Sequence, residues 1–199
     1  NAHPHKSMNG KFYVVHNGII ENYSHLRKEL QSRGYRFESE TDTEILSNLI
    51  ENIYFEQKVS AELAVRLALT KVVGAYGLVI SCEDEPGKLI AARKGSPLVI
   101  GVGENEYFLA SDATPIIEYT DKVIYLNDEE VAVITRESLD LKDLLNDSKT
   151  PDIKKIELSI ENIDKGEYEH FMLKEIHEQP FTIQETFRGR IAMDESKIF

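Results

Sequence analysis

The sequence predicts an α+β fold, with helices first and antiparallel sheets after. Three observations carry this prediction. Apolar residues recur at three- and four-residue spacing up to Gly74, and from Ala75 they collapse into runs of four or five. The connections between those runs are only a few residues long, which suits hairpins and leaves no room for crossover helices. Several runs are apolar without alternation, which implies strands covered on both faces.

Taken in order, residues 12–16 (Phe-Tyr-Val-Val-His) form a short strand that Asn17-Gly18 stops with a tight turn. Leu26 and Leu30 share one face of a helix over residues 22–30, and Gly34 ends it. Thr41-Asp42-Thr43-Glu44 has the form of a capping box. Behind it Ile45, Leu46, Leu49, Ile50 and Ile53 line one helical face. A third helix is expected from Ser60 through Leu63, Leu67 and Val72 to Gly74. Strands follow at residues 78–82, 89–92, 98–102, 107–110, 123–126 and 131–134, as one long meander. Residues 140–155 are polar and charged, with 147–152 as a linker, and a helix over residues 168–178 ends or restarts at Pro180. The expected division is residues 1–155 as one domain and 156–199 as the opening of a second.

The chain has 199 residues, with 35 Asp and Glu against 23 Lys and Arg, a net charge of −12. That balance argues against nucleic acid, where phosphate contacts need clustered cations, and against an anionic membrane surface. No apolar run approaches the ~18 residues needed to span a bilayer. A lone cysteine, Cys82, suits a reducing compartment such as the cytoplasm. The chain starts at Asn1, without Met or a signal-peptide pattern, and reads as opening inside a loop.

Four groups of residues could carry chemistry. His3 and His5, with His16 and Asp42, have ligand types for a metal, but imidazoles in such a loop also serve as ordinary hydrogen-bonding groups. Cys82 sits in an apolar strand followed by Glu83, Asp84 and Glu85, a setting for a buried, unreactive thiol. Asn17-Gly18 offers a side-chain amide and a bare backbone N–H, the donors an oxyanion hole needs; alone, the pair reads first as an ordinary turn. Asp42 at a helix start either caps backbone or grips a substrate ammonium. Residues 51–57 (Glu-Asn-Ile-Tyr-Phe-Glu-Gln) continue the helical face and are read as native sequence.

The motifs gain specificity when taken together and in order. They are Asn1-Ala2-His3-Pro4-His5, His16-Asn17-Gly18-Ile19-Ile20-Glu21-Asn22, Ser39-Glu40-Thr41-Asp42-Thr43-Glu44 and Gly74-Ala75-Tyr76-Gly77. Further on come Arg93-Lys94-Gly95-Ser96-Pro97-Leu98, Ala110-Ser111-Asp112 and residues 164–180. This series resembles the glutaminase domain of the glutamine:fructose-6-phosphate aminotransferases, and the likeness covers nearly the whole chain. It implies a four-layer αββα sandwich of antiparallel sheets, of the N-terminal-nucleophile hydrolase type. It also implies that Asn17 and Gly18 form the oxyanion hole for glutamine's carboxamide and that Asp42 holds the glutamine α-ammonium. In that family an N-terminal cysteine thiolate attacks the carboxamide, its own amine acting as base. Ammonia then passes to fructose 6-phosphate in a sugar-isomerase half, giving glucosamine 6-phosphate with no metal or diffusible cofactor.

The sequence departs from the family pattern at its start. Residue 1 is Asn, and there is no Arg-Trp-Ala-Thr-His-Gly segment, which in the family supplies the Arg for the glutamine carboxylate. The expectation is an internal piece of a longer enzyme that lacks its nucleophile, has no glutaminase activity by itself, and self-associates through the absent isomerase half. The competing expectations are another class II amidotransferase and a non-catalytic amino-acid-binding module.

Overall fold

The computed structural model describes residues 2–156, 166–187, 191–192 and 197–198, with backbone alone at 184–187 and at the last two pairs. The chain divides into two compact units, Asn1–Glu157 and Leu158–Phe199.

The first unit opens with a hairpin of β1 (His5–Lys6) and β2 (Phe12–Ile20), followed by α1 (Tyr23–Ser32), α2 (Asp42–Gln57) and α3 (Ala61–Leu69). Then come β3 (Gly74–Cys82), β4 (Leu89–Lys94), β5 (Val99–Val102), β6 (Tyr107–Ala110), β7 (Lys122–Tyr125), β8 (Glu130–Ile134), β9 (Leu139–Asp143), β10 (Ser148–Lys149) and β11 (Ile153–Lys155). A seven-stranded sheet runs β1-β2-β3-β4-β8-β9-β10, and a four-stranded sheet runs β11-β7-β5-β6. All their named pairings are antiparallel.

The chain does not meander through one sheet as its order suggests. After β4 it crosses to the second sheet for β5, β6 and β7, then returns to pair β8 with β4. Ala91, Ala132 and Leu141 of the first sheet pack on Ile100, Ile124 and Leu126 from the second. The opposite face of the first sheet meets the helices through Phe12, Val14, Leu78 and Ile80 against Ile45, Leu49, Ile53 and Val65. The outer face of the second sheet is covered by Ile116 in a helical turn, where Ile117 and Thr120 donate to the Ala113 and Ile116 carbonyls. The result is an α+β sandwich built on two antiparallel sheets.

Three expectations need correction. Asn17-Gly18 does not end the first strand: β2 continues to Ile20, paired with β3 in unbroken register. Residues 147–152 are no linker, because β10 lies within them and β11 follows directly, both as edge strands; backbone pairing there asks for no apolar side chains. Pro180 neither ends nor restarts a helix, since α4 (Phe171–Phe187) runs through it in the second unit. There the Thr182 hydroxyl donates to the Glu178 and Gln179 carbonyls, beside the position where proline lacks a donor.

Candidate active site

The site grows from the far end of β2. Along this strand Phe12, Val14, His16 and Ile20 are buried against the helices, while Tyr13, Val15, Asn17 and Ile19 face outward. Alternation therefore puts the Asn17 amide on the opposite face from His16. Gly18 has φ +133°, and a Cβ there would overlap the Ala75 carbonyl oxygen and lie 2.8 Å from Ser96 Oγ. Only glycine lets β2 pass this close to β3 and to the loop above it. That loop is fixed by Arg93, whose Nε and Nη1 donate to the Ser96 and Leu126 carbonyls at 2.9 and 2.6 Å. Gly95 N–H also donates to Asp128 Oδ1 at 2.9 Å.

Asp42 enters from the helical layer. Thr41 caps α2, its Oγ1 accepting Glu44 N–H at 3.3 Å. Glu44 does not complete the expected capping box; its carboxylate accepts the Glu38 and Ser39 N–H groups at 2.7 Å each. The irregular segment leading into α2 is thus tied down, and Asp42 occupies the first turn, where the helix dipole favours negative charge. Its Oδ2 accepts Ile20 N–H at 2.8 Å. Its Oδ1 lies 3.5 Å from Thr43 Oγ1 and 3.9 Å from His16 Nδ1. The structure therefore brings Asn17, Gly18 and Asp42 to one end of one strand.

Beneath them, His16 Nδ1 is 3.0 Å from Thr43 Oγ1. Burial pushes the imidazole below its ordinary pKa, although Asp42 pulls it upward. The hairpin that launches β2 is anchored by Glu51, fully buried, which accepts Ser7 Oγ at 2.5 Å, Asn9 Nδ2 at 2.9 Å and the Asn9 and Lys11 N–H groups at 3.2 and 3.3 Å.

The remaining candidates fall elsewhere. His3 and His5 stack edge to face at 5.2 Å, and His5 Nδ1 meets Thr41 Oγ1 at 3.4 Å. Among the described residues no group of three or more His, Cys, Asp or Glu is placed to hold a metal ion. Cys82 is buried, with its thiol pushed up by burial. It pairs with Phe12, six residues along β2 from Gly18, or about 20 Å. Asn1, and Asp164 and Lys165 of the last motif, lie outside the described residues. Sequence reasoning missed the parts played by Thr43, Glu51, Ser96 and the Ile20 N–H. Thr43 and Ser96 lie within quoted motifs, but only register and packing reveal what they touch.

Residues 1–118 match the family model described as a glutamine amidotransferase domain. A glutamine--fructose-6-phosphate aminotransferase [isomerizing] of Bacteroides thetaiotaomicron is 53% identical over 199 residues, all of this chain and 32% of that protein. Its counterpart from Chlorobaculum tepidum is 49% identical over the same span, with the same 32% covered. The chain thus spans about a third of the length of the curated relatives it matches. Among solved structures, a glutamine phosphoribosylpyrophosphate amidotransferase from B. subtilis superposes with a TM-score of 0.62 at 24% identity, over 72% of this chain and 32% of that one. The allosteric regulatory enzyme of purine biosynthesis gives 0.60 at 25% identity, over 72% and 31%. These two likenesses confirm the sandwich fold. With well over half its length matched, the chain belongs to the glutamine amidotransferase domain family.

Proposed function

We propose that this chain builds one wall of a glutamine-hydrolysing site, in a protein that makes glucosamine 6-phosphate from glutamine and fructose 6-phosphate. Asn17, through its side-chain amide, and Gly18, through its backbone N–H, stabilise the oxyanion that develops on the carboxamide oxygen when its carbon is attacked. Asp42 binds the α-ammonium. The observation that carries this reading is the Asp42–Ile20 hydrogen bond, which holds the acid two residues from Gly18. Donors fixed before charge develops need no reorganisation in the transition state.

The attacking thiolate is not Cys82, which is buried, raised in pKa and about 20 Å along the strand. The reaction therefore takes its nucleophile from outside these 199 residues, and the chain alone does not hydrolyse glutamine. Residues 156–199 are the start of the sugar-isomerase part, through which the protein self-associates. The single cysteine supports a cytoplasmic setting. Identity of 53% to an aminotransferase of this kind favours fructose 6-phosphate as acceptor over the phosphoribosyl substrate of the more distant fold neighbour.

The test is a product assay. The chain alone should release no glutamate from glutamine, whereas the protein expressed from its complete gene should release glutamate and, with fructose 6-phosphate, form glucosamine 6-phosphate. Glutamate release by the chain alone, abolished by Asn17→Ala, would overturn the assignment of the nucleophile. Failure of the complete protein to use fructose 6-phosphate would overturn the acceptor.

A further inference from the structure

Asn-Gly occurs twice in the sequence, at Asn9-Gly10 and at Asn17-Gly18, and the fold treats the two pairs differently. An Asn followed by glycine is open to attack by its own main chain, because no side chain shields the glycine nitrogen. That nitrogen gives up its proton and bonds to the Asn Cγ. The Cγ–Nδ2 bond breaks, and the amide nitrogen leaves with the proton as ammonia. Water then opens the cyclic imide at Cγ, giving Asp, or at the main-chain carbonyl, giving isoaspartate. Overall, one amide and one water become one carboxylate and one ammonium ion.

Ring closure requires the Asn backbone to rotate until the next nitrogen faces its own Cγ. Asn17 lies inside β2, whose pairing with β3 runs unbroken from Phe12 to Ile20, so the rotation there breaks the ladder. Asn9 is exposed in the loop between β1 and β2. Gly10 turns this loop with φ +74°, and a carbon added to it would meet only Tyr13 Oη, at 3.9 Å. The Gly10 N–H is held by one bond, to the Ser7 carbonyl at 2.9 Å. A turn at a loop tip opens at least cost.

The same loop carries what the reaction would undo. Asn9 covers the fully buried Glu51: its Nδ2 and its N–H both donate to Oε2, at 2.9 and 3.2 Å. Deamidation replaces the Nδ2 donor with an oxygen beside that carboxylate, and like charges this close oppose each other's ionisation. The isoaspartyl product also lengthens the main chain by one carbon between the Asn9 and Lys11 N–H groups that Glu51 holds.

We propose that Asn9 is a site of spontaneous deamidation, and that its product carboxylate is expelled from Glu51 and loosens the hairpin that launches β2. The reaction needs no enzyme, only water. Because β2 carries Asn17 and Gly18, the modification weakens the strand on which the candidate site stands.

The first test incubates the folded chain in weakly alkaline buffer and maps it after trypsin digestion. Lys6, Lys11 and Arg27 put Asn9 on a peptide of residues 7–11 and Asn17 on one of residues 12–27. The first peptide should gain the mass of an amide turned carboxylate, with an isoaspartyl fraction, at least about tenfold faster than the second. If residues 7–11 stay unchanged over a time in which the urea-unfolded chain converts both, Asn9 is not such a site. The second test makes the product directly. Asn9→Asp should unfold at lower urea than Asn9→Ser, which loses the amide donor without adding charge. Amide exchange at residues 7–11 of Asn9→Asp should quicken by about tenfold, the scale of one lost bond to a charged group. An Asn9→Asp chain as stable as Asn9→Ser, with exchange unchanged, would overturn the expulsion from Glu51.

Discussion

Asp42 Oδ2 accepts the backbone N–H of Ile20 at 2.8 Å, so the first turn of α2 is joined directly to the end of β2. Asn17 and Gly18 lie two to three residues back along the same strand. One hydrogen bond thus brings together a helix-borne carboxylate and the strand-borne donors. It also predicts that the charge and the structural role of Asp42 can be separated. Asp42→Asn keeps an acceptor for Ile20 and should cost less than about 1 kcal/mol of stability, while Asp42→Ala strands a part-buried N–H and should cost about 1–3 kcal/mol. Urea denaturation of both variants checks this; equal losses would show that the bond does not hold the site.

Gly18→Ala should destabilise by about 3 kcal/mol or more, because strain at φ +133° is joined by overlap with the Ala75 carbonyl. Gly87 is the control. Its φ is +79° with no heavy atom within 4 Å of the added carbon, so Gly87→Ala should cost only the strain, about 1–2 kcal/mol. Similar losses at both positions would mean that the close approach of β2 and β3 is not what requires Gly18.

Glu51→Ala should be among the most damaging single changes in the hairpin, at about 4 kcal/mol, since it leaves the Ser7 hydroxyl and the loop N–H groups without their acceptor. Chemical denaturation measures the loss, and amide exchange should locate the opening at residues 7–11. A variant within about 1 kcal/mol of the parent would contradict the anchoring role.

Stability should fall on the acid side in two stages. Burial lowers the pKa of His16, while Asp42 acts to raise it and His3 and His5 to lower it. The unfolded chain therefore binds this proton at higher pH than the folded one. The contribution is full above about pH 6.5 and is lost as pH falls from there toward the folded value. Lower still, Glu56, Asp84 and Asp143 are held down by Arg33, Lys11 and Lys149, and their contributions disappear as they protonate below about pH 4. Urea midpoints taken from pH 8 to 3 should record both stages, and His16→Phe should flatten the first. An unchanged slope near pH 6 in that variant would remove His16 as its source.

The single thiol should be inert in the native state. Cys82 is buried and raised in pKa by that burial, so a thiol reagent at neutral pH should label it only after denaturant is added. Fast native labelling, slowed by glutamine, would point to Cys82 as part of the site.

Much of this architecture could be read from residue order because helices and buried strands advertise themselves. Leu26 and Leu30, or Ile45 through Ile53, share faces that had to be buried, and both sets are. The crossing between sheets after β4 left no such mark, since short connections serve a meander and a sheet switch alike. Polar β10 was invisible because an edge strand needs only backbone partners. Asn17-Gly18 misled in conformation but not in position: the positive φ that suggested a turn is used inside a strand, to clear the Ala75 carbonyl. Asp42 could be picked out as a helix-start carboxylate. Its link to Ile20, and the Thr43 hydroxyl between it and His16, depend on how α2 packs against β2, which no local pattern encodes.

The most direct test of the site is the kinetic behaviour of two variants in the protein expressed from its complete gene. Asn17→Ala should lower kcat for glutamate release by about 10²–10³-fold with KM for glutamine little changed, as expected for a donor that acts on the developing oxyanion. Asp42→Asn should instead raise KM. If Asn17→Ala left kcat intact, or if both variants altered only KM, the end of β2 would not be the place where glutamine is hydrolysed.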